Sequence, residues 1–153
     1  MDIQALGAVT LQLGKPGFAA GTGTSYVITT AFNFSIKGKT YTKSTASNAA
    51  QPATDIVTGA AFLPVAAGKE CVFLYGVGFD GTVKVVQGSI VNNGTAGSSI
   101  STVPDDFCPF AYLKIEVAVG GTTFTLGTSN SSGVSGVTYT RQDLTSLPDR
   151  LVS

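Results

Sequence analysis

Two thiols, Cys71 and Cys108, and one adjacent acidic pair, Asp105-Asp106, are the side chains of this sequence best suited to chemistry. A thiol attacks carbon or binds a metal as the thiolate, so it needs a neighbour that lowers its pKa. The chain has no histidine, which removes the commonest general base and the commonest metal ligand together. Cys71 also lies inside an alternating apolar run, where a thiol acts as a small hydrophobe. Free, buried thiols are therefore expected, with a single bond between two strands left open as the alternative. Asp105-Asp106 can be read as part of a cation site between subunits, since hard cations collect carboxylates and carbonyls. The plainer reading is a solvated turn ahead of Pro109. Lys114 and Glu116 alternate with apolar positions and are expected on a solvent face. Gly120-Gly121 and the run from Gly94 to Ser99 precede no helix and no Lys-Ser/Thr, so neither is a phosphate loop. Lys39-Thr40-Tyr41-Thr42-Lys43 has the aromatic and basic character that stacks on single-stranded nucleic acid. Two arginines and a balanced charge argue against that partner. No catalytic, cofactor-binding or metal-binding residue is expected, and the chain reads as a protein without enzyme activity.

Composition narrows the partners further. Charged residues make up 12% of the chain, against a usual value of about 25%. Nine basic and nine acidic side chains cancel. A neutral, charge-poor surface does not suit nucleic acid or an anionic membrane. It also leaves little repulsion between copies. Either a partner covers much of the surface, or Ser, Thr and Asn keep it wet without charge. The start, Met1-Asp2-Ile3-Gln4, has neither the basic stretch nor the apolar segment of a signal peptide. No window approaches the roughly 18 apolar residues of a membrane-crossing helix. The Asn-x-Ser/Thr matches at Asn33, Asn93 and Asn130 are expected to be coincidental.

The elements that must carry these residues are strands. Leu113, Ile115, Val117 and Val119 alternate with Tyr112, Lys114 and Glu116, a period of two with one dry face. A two-residue turn at Gly120-Gly121 would set Val117 opposite Phe124 and Ile115 opposite Leu126. Residues 5–13 place Val9, Leu11 and Leu13 on one face and predict a first strand. Residues 14–24 predict a loop. Tyr26, Ile28, Phe32, Phe34 and Ile36 are the apolar positions of the next strand. A tight turn at Lys37-Gly38 pairs Phe34 with Tyr41. Residues 45–68 predict irregular structure with short extended pieces near Ile56-Val57 and Phe62-Leu63.

A second hairpin turns at Asp80-Gly81. A three-residue loop with Gly81 in the left-handed region pairs Val77 with Val83 and Tyr75 with Val85, which sorts apolar from polar side chains. Gly76 and Gly78 inside that strand predict a bulge or the close approach of another backbone. A loop over 92–101 and a connector over 103–109 with Pro104 and Pro109 lead into the strand at Phe110. A further loop spans 127–136. Val137 to Thr140 is a last short strand, and residues 144–151 are a helical turn or trailing arm.

No stretch sustains a 3.6-residue repeat. The pattern predicts an all-β fold: one antiparallel β-sandwich or barrel, jelly-roll or immunoglobulin-like, with an N-terminal arm and a C-terminal tail. Residues 1–24 form the arm and loop, and 25–153 the sandwich.

Several short motifs from Lys69 onward fit one family. They are Asp80-Gly-Thr-Val83, the Val85–Ile90 stretch with Gly88, Val103-Pro104, Cys108-Pro109 followed by Tyr112, Phe124 to Thr128, Gly136 to Thr140, and Leu147-Pro148. With these the chain resembles the small virion structural proteins of tailed bacteriophages, the head decoration or cement proteins. It departs at Ala111, where the family often has glycine, and in a longer loop over 129–135. The resemblance implies a protein made in the host cytoplasm that binds the outside of a capsid. Its partners would be the major capsid protein and copies of itself, as a trimer or dimer. A tail, baseplate or fibre-associated β-domain is the alternative role, and a carbohydrate-binding module a more distant one.

Overall fold

The computed structural model describes residues 10–95 and 97–144. All regular structure among them is strand, in the order β1 Leu11–Gln12, β2 Phe18–Ala20, β3 Ser25–Ile28, β4 Phe32–Ile36, β5 Lys39–Lys43, β6 Ala46–Ala50, β7 Lys69–Gly78, β8 Val83–Gln87, β9 Val91–Asn92, β10 Phe107–Val117 and β11 Val137–Asp143. No helix among the described residues is long and apolar enough to cross a membrane. The strands form three antiparallel sheets. The largest runs β11-β10-β7-β8, with β9 also paired to β7. The others run β1-β4-β5 and β2-β3-β6.

The fold is the expected all-β sandwich, with one layer split in two. Tyr26, Ile28, Phe32, Phe34 and Ile36 are all buried, as their alternation predicts. They do not lie on one strand. The chain breaks after Ile28, so β3 joins one small sheet and β4 the other. Both small sheets turn their apolar faces to the large one. Phe18 of β2 meets Tyr75 of β7 with ring centroids 4.4 Å apart, and Phe32 of β4 meets Phe110 of β10 at 5.3 Å. Aromatic pairs at these distances add to the stabilisation from burial alone.

Two hairpins form in the expected register. Lys37 (φ 50°) and Gly38 (φ 80°) both take the left-handed region, and Phe34 pairs with Tyr41. Their rings stack at 5.4 Å and 20°. Val77 pairs with Val83 and Tyr75 with Val85 across a loop in which Gly81 has φ 75°. Phe73, Tyr75, Val77, Val83 and Val85 point together into the core. Gly76 is required by its neighbour: a Cβ there would stand 2.3 Å from the Phe107 ring. The pressing group is an aromatic side chain, and the accompanying bulge lies opposite, between Pro109 and Ala111 of β10. Pro109 tolerates a strand because it sits at that irregularity.

Five further expectations are corrected. The strand ending at Val117 does not fold back onto residues 122–126. Gly121 N–H donates to Ala118 O at 2.8 Å, so Val119-Gly120 is the tip, and only Gly120 has a positive φ. Gly121 serves close approach: a Cβ on Gly136 would lie 2.6 Å from the Gly121 Cα. β10 takes β11 as its partner, Val117 against Val137 and Ile115 against Tyr139. Phe124 instead exchanges main-chain bonds with Val65 at 2.7 and 3.0 Å, and it and Leu126 enter the core. The apolar match was genuine, but a buried residue beyond a tight turn need not pair with the strand before it.

The first strand is shorter and turned over. Gln12 is 3% exposed and Leu13 54% exposed, because Gln12 stands opposite Phe34. Val9 and the earlier positions lie outside the described residues. The stretch 14–24 contains β2, whose Phe18 is a core residue. The stretch 45–68 contains β6, held to β3 although Asn48 takes φ 52°. The last strand runs to Asp143, longer than expected. Residues 145–151 of the expected helical turn or arm lie outside the described residues.

Candidate functional site

At one end of the sandwich the β4–β5 turn, the β7–β8 turn and the connector into β10 surround an open cleft of about 470 Å³. Ile36, Lys37, Lys39, Tyr41, Phe79, Asp105 and Asp106 line it. Thus the structure brings together two groups that are far apart in sequence, the acidic pair and the start of the Lys39–Lys43 run. The turns that frame the cleft are tied down. Lys43 Nζ donates to Gly81 O at 2.8 Å, linking the two hairpins. Asp80 Oδ1 accepts from Thr82 N–H at 3.0 Å, and Gly81 N–H donates to Gly78 O at 3.0 Å. The Thr82 amide, with lesser help from Lys84, holds the Asp80 carboxyl below its ordinary pKa.

This rigid turn holds Phe79 out, at 58% exposure. Lys39 Nζ sits 5.4 Å from the centre of the Tyr41 ring, itself stacked on buried Phe34. An exposed aromatic beside cations and carboxylates suits a protein surface of mixed charge, where apolar contact supplies affinity and the charges orient. Asp105 and Asp106 share the cleft with Lys37 and Lys39, whose ammonium groups compete with any positive ligand for the carboxylates. Among the described residues no three His, Cys, Asp or Glu side chains gather as a metal site.

The thiols are elsewhere. Cys71 is opposite Ile115 and Cys108 opposite Val77; both are free and buried. Burial pushes each thiol up to about 11, in Cys71 against opposing hydrogen bonds from Gln87, Ser98 and Gly88. A thiol so raised is a poor nucleophile at neutral pH.

Lys114 and Glu116 are on the outer face, but they are not simple solvent-face residues. Lys114 Nζ lies 3.2 Å from Glu70 Oε2 and 3.1 Å from Glu116 Oε1. Hydrogen bonding to Glu116, and then to Glu70, raises the Lys114 pKa against desolvation. Glu70 is only 2% exposed, and sequence reasoning did not single it out. Its signal was an acidic residue where β7 begins.

Arg141 was missed as well. It is half-buried, rests 5.2 Å from the Tyr139 ring centre and donates to Ser131 O. Desolvation lowers its pKa. Ser131 Oγ in turn accepts from Gln51 Nε2 at 3.3 Å, and Gln51 Oε1 accepts from the Tyr75 hydroxyl at 2.6 Å. Burial raises the Tyr75 pKa. This chain joins the large sheet to the β2-β3-β6 sheet through polar groups and has the character of a structural knot.

Comparison with protein-family models, with curated proteins and with solved structures finds no match to the chain.

Proposed function

We propose that this chain is a non-enzymatic virion structural protein, a decoration protein that binds the outside of a phage head and bridges capsid subunits. The observation that supports it best is the Phe79 cleft: a large apolar ring held in water by a hydrogen-bonded turn, rimmed by two lysines and two aspartates. Water does not reward that arrangement, whereas a partner surface does. The low charge content of the chain is consistent with a covered surface. Its motifs from Lys69 onward supply the class of partner.

A decoration protein works by binding free energy spread over a contact surface, and many copies acting together make modest contacts sufficient. The test mixes the purified protein with expanded heads of the phage that encodes it. Co-sedimentation and a rise in capsid melting temperature are expected. Labelled protein found on tails with heads bare would replace this reading with a tail or baseplate role. Failure to bind any part of the particle would remove the virion reading.

A further inference from the structure

The geometry points to β11 as the strand through which two copies of this chain pair, edge to edge about a two-fold axis. This inference does not depend on the capsid reading. β11 is an edge of the large sheet. The bonds Ala118 N to Gly136 O and Leu144 N to Phe110 O, each 2.8 Å, bracket its ladder with β10. In an antiparallel ladder bonded pairs alternate, so Thr138, Thr140 and Gln142 spend their main-chain groups on β10. Tyr139 and Arg141 direct theirs away from the sheet. Among the described residues no main-chain partner meets them. The open segment is bounded. Val137 N–H donates to Val134 O at 3.2 Å, and the Asp143 carboxylate holds the amides of Gly17 and Phe18 at 3.0 and 2.9 Å. Its centre is Thr140.

Three other edges, β5, β6 and β8, are guarded in the ways proteins use against strand addition. β5 carries Lys39 and Lys43, β6 carries Asn48 in the left-handed region, and β8 is met by Ile56 N–H on Val85 O at 3.0 Å. β11 has no lysine, proline or break in register, and its outward side chains Thr138, Thr140 and Gln142 are uncharged. An edge of this kind accepts an extended strand.

A second copy fits it. Setting Thr140 opposite Thr140 of the partner copy places Tyr139 opposite the partner's Arg141, twice, with about four new main-chain hydrogen bonds. A cation then faces an aromatic ring. Moving the centre to Arg141 would oppose two guanidinium groups, which is unfavourable. The chain's formal net charge of zero leaves no long-range repulsion between copies.

The test uses the full chain in sedimentation velocity and under oxidising conditions. Opposed residues in a non-bonded antiparallel pair have Cα atoms about 4.5 Å apart, within disulfide reach. Thr140→Cys is therefore expected to cross-link as a dimer, while Thr138→Cys, off the axis, is not. The native thiols are buried and do not compete. Thr140→Glu places its carboxylate beside Lys114 of its own chain, its register partner, and against its own copy across the axis. It should keep the strand circular-dichroism spectrum and weaken dimerisation about tenfold or more. A full chain that stays monomeric at every concentration overturns the proposal. So does cross-linking by Thr138→Cys in place of Thr140→Cys. A dimer that appears only when residues 1–9 are removed also overturns it, because the edge is then covered within the chain.

Discussion

Glu70 and Glu116 stand directly opposite each other on β7 and β10, and the single ammonium of Lys114 bonds both. Like charges in opposed strand positions repel, so the lysine is needed to hold this face together. Lys114→Met is expected to cost roughly 1–3 kcal/mol of unfolding free energy, since it leaves a buried carboxylate without its cation. Glu70→Gln in the same chain should recover part of that loss. Urea unfolding of the two single variants and the double variant measures the coupling. Additive losses would mean that the three groups do not act as a unit.

Asp143 connects the end of β11 to the start of β2 through the Gly17 and Phe18 amides. Asp143→Ala should lower stability by about 1–3 kcal/mol, the usual range for charge-assisted bonds to main chain. Hydrogen exchange at Gly17 and Phe18 should accelerate before the rest of the sheet does. Unchanged protection at both amides would contradict the link.

Gly76→Ala forces a methyl into the Phe107 ring. Ring and strand must move, and overpacking of this kind costs about 1–3 kcal/mol. Phe107→Ala in the same chain makes room. The double variant should then lose less than the sum of the two single variants, a comparison that thermal unfolding can make.

The two thiols predict alkaline sensitivity. Each has a folded pKa of about 11, above the ordinary thiol value. The unfolded chain therefore releases its thiol protons first as pH rises. Their contribution is intact below the unfolded value and is lost as pH climbs towards about 11. The slope is up to about 1.4 kcal/mol per pH unit for each thiol. Cys71→Ala and Cys108→Ala should flatten that part of the stability profile while lowering stability at neutral pH. Thiol reagents should label the folded protein slowly. Rapid labelling at neutral pH would contradict the burial.

Period-two alternation made the core legible: Phe73, Tyr75, Val77, Val83, Val85, Leu113, Ile115 and Val117 are all buried. Turn chemistry made two registers legible, because Lys37-Gly38 and Gly81 need backbone that few residues adopt. Partner choice over long separations was not legible. Val117 could meet Phe124 or Val137 with similar apolar agreement, and the close approach of Gly121 and Gly136 decides for Val137. Short strands rich in alanine, such as Ala46–Ala50, carry no alternation to read. At the cleft, the sequence marked Asp105-Asp106 and Lys39–Lys43 separately. Nothing local indicates that the β7–β8 turn brings Phe79 between them.

The most direct test of the proposed decoration role compares the wild-type chain and Phe79→Ser for binding to expanded phage heads, by co-sedimentation across a protein titration. Phe79 is exposed, so the substitution should change stability by no more than about 0.5 kcal/mol. As a contact anchor it should carry about 2 kcal/mol or more of binding, a loss of at least tenfold in affinity. Wild-type protein that pellets with heads, beside a stably folded variant that does not at the same concentration, is the predicted result. Wild-type protein left in the supernatant, or a variant that binds equally well, would contradict the account.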